Sequence, residues 1–64
     1  MKLIGVGNSI INLNMVKEIE IFPDTDELCL RFDTGTHCLK GDSNWKFESI
    51  IELLEDNEKT FLQL

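Results

Sequence analysis

Nothing in this chain is long and apolar enough to span a membrane. A span needs about 18 consecutive apolar residues, and charges or glycines interrupt every apolar run here within a few positions. The N-terminus lacks a signal-peptide layout, because Lys2 is followed only by a short apolar segment that contains Gly5 and Gly7. These absences lead to the expectation of a cytoplasmic protein. Basic charge is also scarce, with six Lys and Arg against twelve Asp and Glu and a net charge of −6. The cations Lys2, Lys17, Arg31, Lys40, Lys46 and Lys59 are scattered. This counts against non-specific nucleic-acid binding, whose affinity comes from Lys and Arg on phosphates. It suits an acidic surface that attracts a basic partner.

Cysteine is limited to Cys29 and Cys38, whose spacing is neither CxxC nor a zinc pattern. In a cytoplasmic chain they are expected as reduced thiols. There is one His and no Ser/His/Asp or Cys/His arrangement, so catalysis is not expected. "GVGNSI" (5–10) opens like a dinucleotide-binding fingerprint, but Ile10 stands in place of the third glycine. "DTDELCL" (24–30) opens like a calcium loop, but Leu28 takes a ligand position and Cys29 the place of the required glycine. No cofactor and no metal are expected.

What is present is periodicity. The chain has 64 residues and reads as one domain over 1–57, followed by an apolar tail at 58–64. A domain of about 60 residues buries only about 60% of its unfolded surface, which makes a homodimer an economical expectation. "KLIGVG" (2–7) and "IINL" (10–13) read as short strands around the turn "NS". "MVKEIEIF" (15–22), "ELCLRF" (27–32) and "HCLK" (37–40) follow with period two, separated by "PDTD" and "DTGT". "GDSNWKFESIIELLEDN" (41–57) then changes to helical period, with Phe47, Ile50, Ile51 and Leu54 on one face. Asp42 or Ser43 is the expected cap and Asn57 the expected stop, with fraying among Glu55, Asp56 and Glu58. The predicted fold is α+β: a small antiparallel meander of four to five short strands with one C-terminal amphipathic helix packed on one face.

Loop lengths set a predicted register. A four-residue "PDTD" loop pairs Glu18 with Arg31, Ile19 with Leu30 and Glu20 with Cys29. A two-residue Thr34-Gly35 loop pairs Leu30 with Leu39, Arg31 with Cys38 and Cys29 with Lys40. His37 and Leu39 then lie on the helix-covered side and Cys38 on the other, so His37 and Cys38 do not share a metal. The two cysteines fall diagonally, about 7 Å apart by ordinary sheet geometry, near the limit for a disulfide.

The segment "INLNMVKEIEI…LCLRFDTGTHCLKG…FESIIELL" resembles the small bacterial β-meander-plus-helix proteins of the flagellar FlbD family. Leu13, Asn14, Ile19, Glu20 and Gly35 carry the likeness over residues 10–54. The resemblance implies a regulatory rather than catalytic role and supplies no catalytic residue. The strand-strand-strand-helix order is also similar to half of the dimeric single-stranded-DNA-binding coactivators, whose sheets are basic and aromatic. Here Glu18 and Glu20 share that face with Arg31 and Lys40.

The expected function is therefore a small acidic, non-catalytic protein-interaction or regulatory module that forms a homodimer. Its candidate surface comprises Glu18, Glu20, Phe22, Arg31, Trp45, Phe61, Leu62 and Leu64. Trp45 either caps the core edge or makes a contact, since Trp is enriched at hot spots. The tail 58–64 is open to three fates: disorder, fold-back onto the core, or strand addition to a neighbour. The alternatives are a single-stranded nucleic-acid binder, and a phage-type inhibitor that occupies a basic groove of a nucleic-acid enzyme.

Overall fold

The computed structural model describes residues 1–64. In chain order it runs β1 (Leu3–Val6), β2 (Ser9–Asn12), one 3-10 turn (Leu13–Met15), β3 (Glu18–Phe22), β4 (Glu27–Phe32), β5 (Gly35–Lys40), α1 (Ser43–Glu55) and β6 (Phe61–Gln63). The class is α+β as expected, but the strands form two three-stranded sheets, ordered β2-β1-β6 and β3-β4-β5. The single meander of four to five strands is thus corrected to six strands in two sheets, and the helix is not the last element.

The β3–β4 ladder follows the hydrophobic pattern. Glu18 pairs with Arg31, Ile19 with Leu30, Glu20 with Cys29 and Phe22 with Glu27, as the four-residue loop requires. The β4–β5 ladder is displaced by two residues from the expected register, with Leu28 opposite Leu39 and Leu30 opposite His37. The turn is made by Asp33 and Thr34, and Gly35 opens the next strand opposite Phe32 with φ 156°. The unusual backbone angle therefore falls just after the turn, where glycine accommodates it without a Cβ clash. A two-residue slip keeps every side chain on its expected face, so Leu39 is still buried and Cys38 still points away from the helix. It also brings Cys29 directly opposite Cys38, and the two form a disulfide across the ladder. The expected reduced thiols are corrected to a cross-strand bridge that closes a short loop.

The tail folds back as β6, running parallel to β1 with Leu3 opposite Phe61 and Ile4 opposite Leu62. Gly5 admits it: a Cβ there would lie 2.5 Å from Gln63 Oε1 and 2.8 Å from Phe61 Cζ. The Gly5 carbonyl accepts from the Leu64 N–H at 2.7 Å and from Gln63 Nε2 at 3.2 Å.

Ile4, Leu13, Leu28, Leu30, Leu39, Ile50 and Leu53 form the core, with Leu62 and Leu64 packed against it. The helix is turned relative to expectation. Ile50 and Leu53 are buried, whereas Leu54 is 52% exposed and Ile51 37%. This is a rotation of about one residue, or about 100°. It follows from the second sheet: α1 packs on β6 as well as on β3 and β4, so its buried stripe faces the junction rather than one sheet.

Both helix ends are held by distant residues. Asp42 sits at the N-cap with φ 49° and makes no side-chain cap bond. Asp26, in the β3–β4 loop, accepts from the Asp42 N–H at 3.0 Å, the Ser43 N–H at 2.9 Å and the Ser43 hydroxyl at 2.7 Å. At the other end the Lys2 ammonium donates to the carbonyls of Leu53, Asp56 and Lys59. The helix stops after Glu55, before the expected Asn57. Asp56 Oδ1 then accepts from the Glu58 N–H at 2.9 Å and the Lys59 N–H at 3.3 Å, which orders the acidic segment expected to fray.

Candidate functional site

The expected surface residues do not come together in one place. Glu18, Glu20 and Phe22 share the outer face of the β3-β4-β5 sheet with Arg31. Arg31 donates to Glu20, and its Nε lies 2.7 Å from Glu18 Oε1 without hydrogen-bond alignment, so that second contact is an ion pair. The hydrogen bond from Arg31 to Glu20, reinforced by the charges of both glutamates, raises the guanidinium pKa above its usual value. One cation thus answers two acids, and its donors are turned toward neighbours rather than toward an incoming ligand.

Trp45 stands on the first turn of α1, 55% exposed, so it does not cap the core. Phe61 lies beside Gly5 in the other sheet and is 46% exposed. Leu62 and Leu64 are half-buried against the core, so they do not extend an apolar patch around Phe22.

Chemistry-bearing groups are equally dispersed. His37 is exposed on β5 opposite Leu30, and no three His, Cys, Asp or Glu side chains converge on a point that could hold a metal ion. Asp26 is held below its usual pKa first by the Ser43 hydroxyl and then by the Ser43 N–H. Its role is to cap the helix. Asp56 is lowered by the Glu58 and Lys59 amides. No helix is long and apolar enough to cross a membrane.

The one sizeable concavity shares only Glu18 with the expected surface. A groove of about 360 Å³ runs between α1 and the β3 edge, with Leu13, Val16, Ile19, Phe47, Ile51 and Leu54 as its apolar lining. Lys17 and Glu18 lie on the strand side. The volume suits a few medium side chains and falls at the small end of ligand-pocket sizes. A signal for it exists in the sequence. "FESIIELL" carries Phe47, Ile50, Ile51, Leu53 and Leu54, which spread over more than one helical stripe can bury against a single surface. The core takes Ile50 and Leu53, and the remainder forms the groove wall.

Comparison with protein-family models, curated proteins and solved structures gives no match. The functional reading therefore rests on geometry and chemistry.

Proposed function

We propose that this chain is a small acidic, non-catalytic protein-interaction or regulatory module, and that its partner seats in the groove between α1 and β3. The observation that carries the reading is the exposure of Leu54 and Ile51, at 52% and 37%, on a groove wall with neighbouring apolar side chains. Leaving that much apolar surface in water is costly, at about 25 cal/mol per Å², and contiguous exposed apolar patches mark interaction sites. Nucleic-acid binding has weaker support, because the outer-face cation Arg31 is already paired with Glu18 and Glu20.

Site-directed photo-crosslinking tests the reading. A benzophenone amino acid replaces Leu54 in one version and Lys40, on the far edge strand, in another. Both are expressed in cells that naturally make the chain. The expected result is one dominant protein adduct from position 54 and none from position 40. The captured protein, once purified, binds the unmodified chain and binds Leu54→Lys at least tenfold more weakly. Equal adducts from both positions, or affinity indifferent to Leu54→Lys, would sink the reading.

A further inference from the structure

We infer that the groove receives an extended segment of another protein, basic and apolar in alternation, which adds to the sheet at the open edge of β3. The inference rests on the interaction-module reading and names the kind of partner that would fit it.

Three observations converge. First, β3 is an edge strand, so one side of its backbone has no partner in the sheet. The Cα atoms of Cys29 and Cys38 are 4.0 Å apart, the spacing of a narrow antiparallel pair that does not exchange hydrogen bonds. Cys29 therefore turns its N–H and C=O toward Glu20, its opposite number on β3. By the alternation of the ladder, Ile19 and Ile21 turn theirs to the open edge. Added main-chain bonds would supply affinity there, as in strand-addition recognition.

Second, of the edge strands β2, β6, β5 and β3, only β3 borders the apolar groove. A strand laid beside β3 sends alternate side chains to the helix side. Phe47, Ile51 and Leu54 would receive them.

Third, the surroundings are acidic. An added strand turns its other alternate side chains to the outer face of the sheet, where β3 presents Glu18 and Glu20, two acids against the single cation Arg31. Lys17, the cation on the groove, lies 3.8 Å from Asp33. Basic residues at the alternate positions of the incoming strand complement this surface. A second copy does not, because it brings another −6 chain, with its own Glu18 and Glu20, against the first.

The test uses the full oxidised chain, labelled for NMR, with three synthetic peptides acetylated and amidated at their ends. One nonapeptide alternates lysine with valine. The second replaces each lysine by glutamate. The third is a longer lysine-leucine peptide with helical spacing. The expected result with the first peptide is slowed exchange of the Ile19 and Ile21 amides and shifts at Phe47, Ile51 and Leu54. The glutamate peptide binds at least tenfold more weakly, as does the lysine-valine peptide with Leu54→Lys. Circular dichroism checks the fold of that variant, and the peptide charge swap tests the idea independently of it. Stronger binding of the helical peptide at Phe47, Ile51 and Leu54 would overturn the strand inference and leave the interaction module standing. Self-association through the β3 edge that Leu54→Lys abolishes would overturn the hetero-partner assignment. No perturbation of the groove by any peptide would overturn the strand inference, and no adduct at position 54 as well would overturn both readings.

Discussion

Asp26 holds Ser43 from a separate loop: its carboxylate accepts from both the Ser43 N–H and the Ser43 hydroxyl, at 2.9 and 2.7 Å. This pair ties the β3–β4 turn to the start of the helix, so the sheet and α1 are positioned together. Charge at a helix N-terminus also complements the macrodipole. Replacing Asp26 with Ala is expected to lower the melting temperature by several degrees and to loosen the first turn of α1. Hydrogen exchange at Lys46, whose N–H donates to Asp42 O at 2.9 Å, reads that turn directly. The pH dependence has a fixed sign. The folded pKa of Asp26 is depressed below 3.8, so its contribution is present above about pH 4 and is lost as pH falls through the folded value. The stability gap between wild type and Asp26→Ala should therefore be widest near neutrality and narrow in acid to the pH-independent cost of Ala at the left-handed φ of 54°. A gap that stays constant from pH 7 to about pH 2 would refute the charged-cap account.

Lys2 closes the opposite end of the helix. The carbonyls of Leu53, Asp56 and Lys59 all accept from its ammonium, which offsets the acids at a terminus where the dipole disfavours them. Lys2→Met keeps the stem and removes the donors. The expected cost is about 0.5–1 kcal/mol in urea unfolding, with faster exchange at Asp56, whose N–H donates to Glu52 O at 3.0 Å. Unchanged exchange at that amide would show that the terminus does not depend on Lys2.

The Cys29–Cys38 bridge spans a sequence separation of nine residues. Closing so short a loop restricts the unfolded chain and contributes about 2–3 kcal/mol on an entropic account. Reduction with dithiothreitol is expected to lower the urea midpoint accordingly while the sheet persists, since Leu28, Leu30 and Leu39 still fix the register from the other face. Thiol titration before and after reduction, paired with intact mass, checks the bridge. Two reactive thiols in the unreduced, denatured chain would show that it does not form.

Gly5 is where β6 comes closest to β1. Gly5→Val places atoms where Gln63 Oε1 and Phe61 Cζ now lie, 2.5 and 2.8 Å from the glycine's absent Cβ. Overpacking of this kind costs about 1–3 kcal/mol. The expected signature is local: the Leu64 amide, which donates to Gly5 O at 2.7 Å, exchanges faster, while amides of the β3–β4 ladder change little. Loss of protection in both sheets to the same degree would mean that β6 does not open separately.

Local pattern determined the elements of the β3-β4-β5 sheet. Alternation in "KEIEI" and "ELCLRF", with the turn residues of "PDTD" between them, set the β3–β4 register residue by residue, because a one-residue error would turn the apolar row to water. The same reasoning placed Leu39 inward and Cys38 outward but missed the pairing by two positions. Face is dictated by period two, whereas the offset depends on which residues make the turn. Asp33 and Thr34 make it, and Gly35 follows. The disulfide was illegible because that offset put the two cysteines on a diagonal and because a cytoplasmic chain was expected to keep its thiols reduced.

Contacts between segments far apart in sequence were left to the tertiary structure. The apolar ending "TFLQL" left disorder, fold-back and strand addition to a neighbour equally open and carried no signal for β1 as its partner. That pairing adds a third strand to the β1–β2 ladder, and α1 packs on it as well as on β3 and β4. Ile50 and Leu53 went inward, and Ile51 and Leu54 were left on an open groove. Composition and periodicity fixed an acidic, α+β chain with more apolar helix surface than one stripe can bury. Only the packing of α1 against two sheets at once decided where the excess would lie, because burial is settled by the elements that meet at the helix and not by the helix sequence alone.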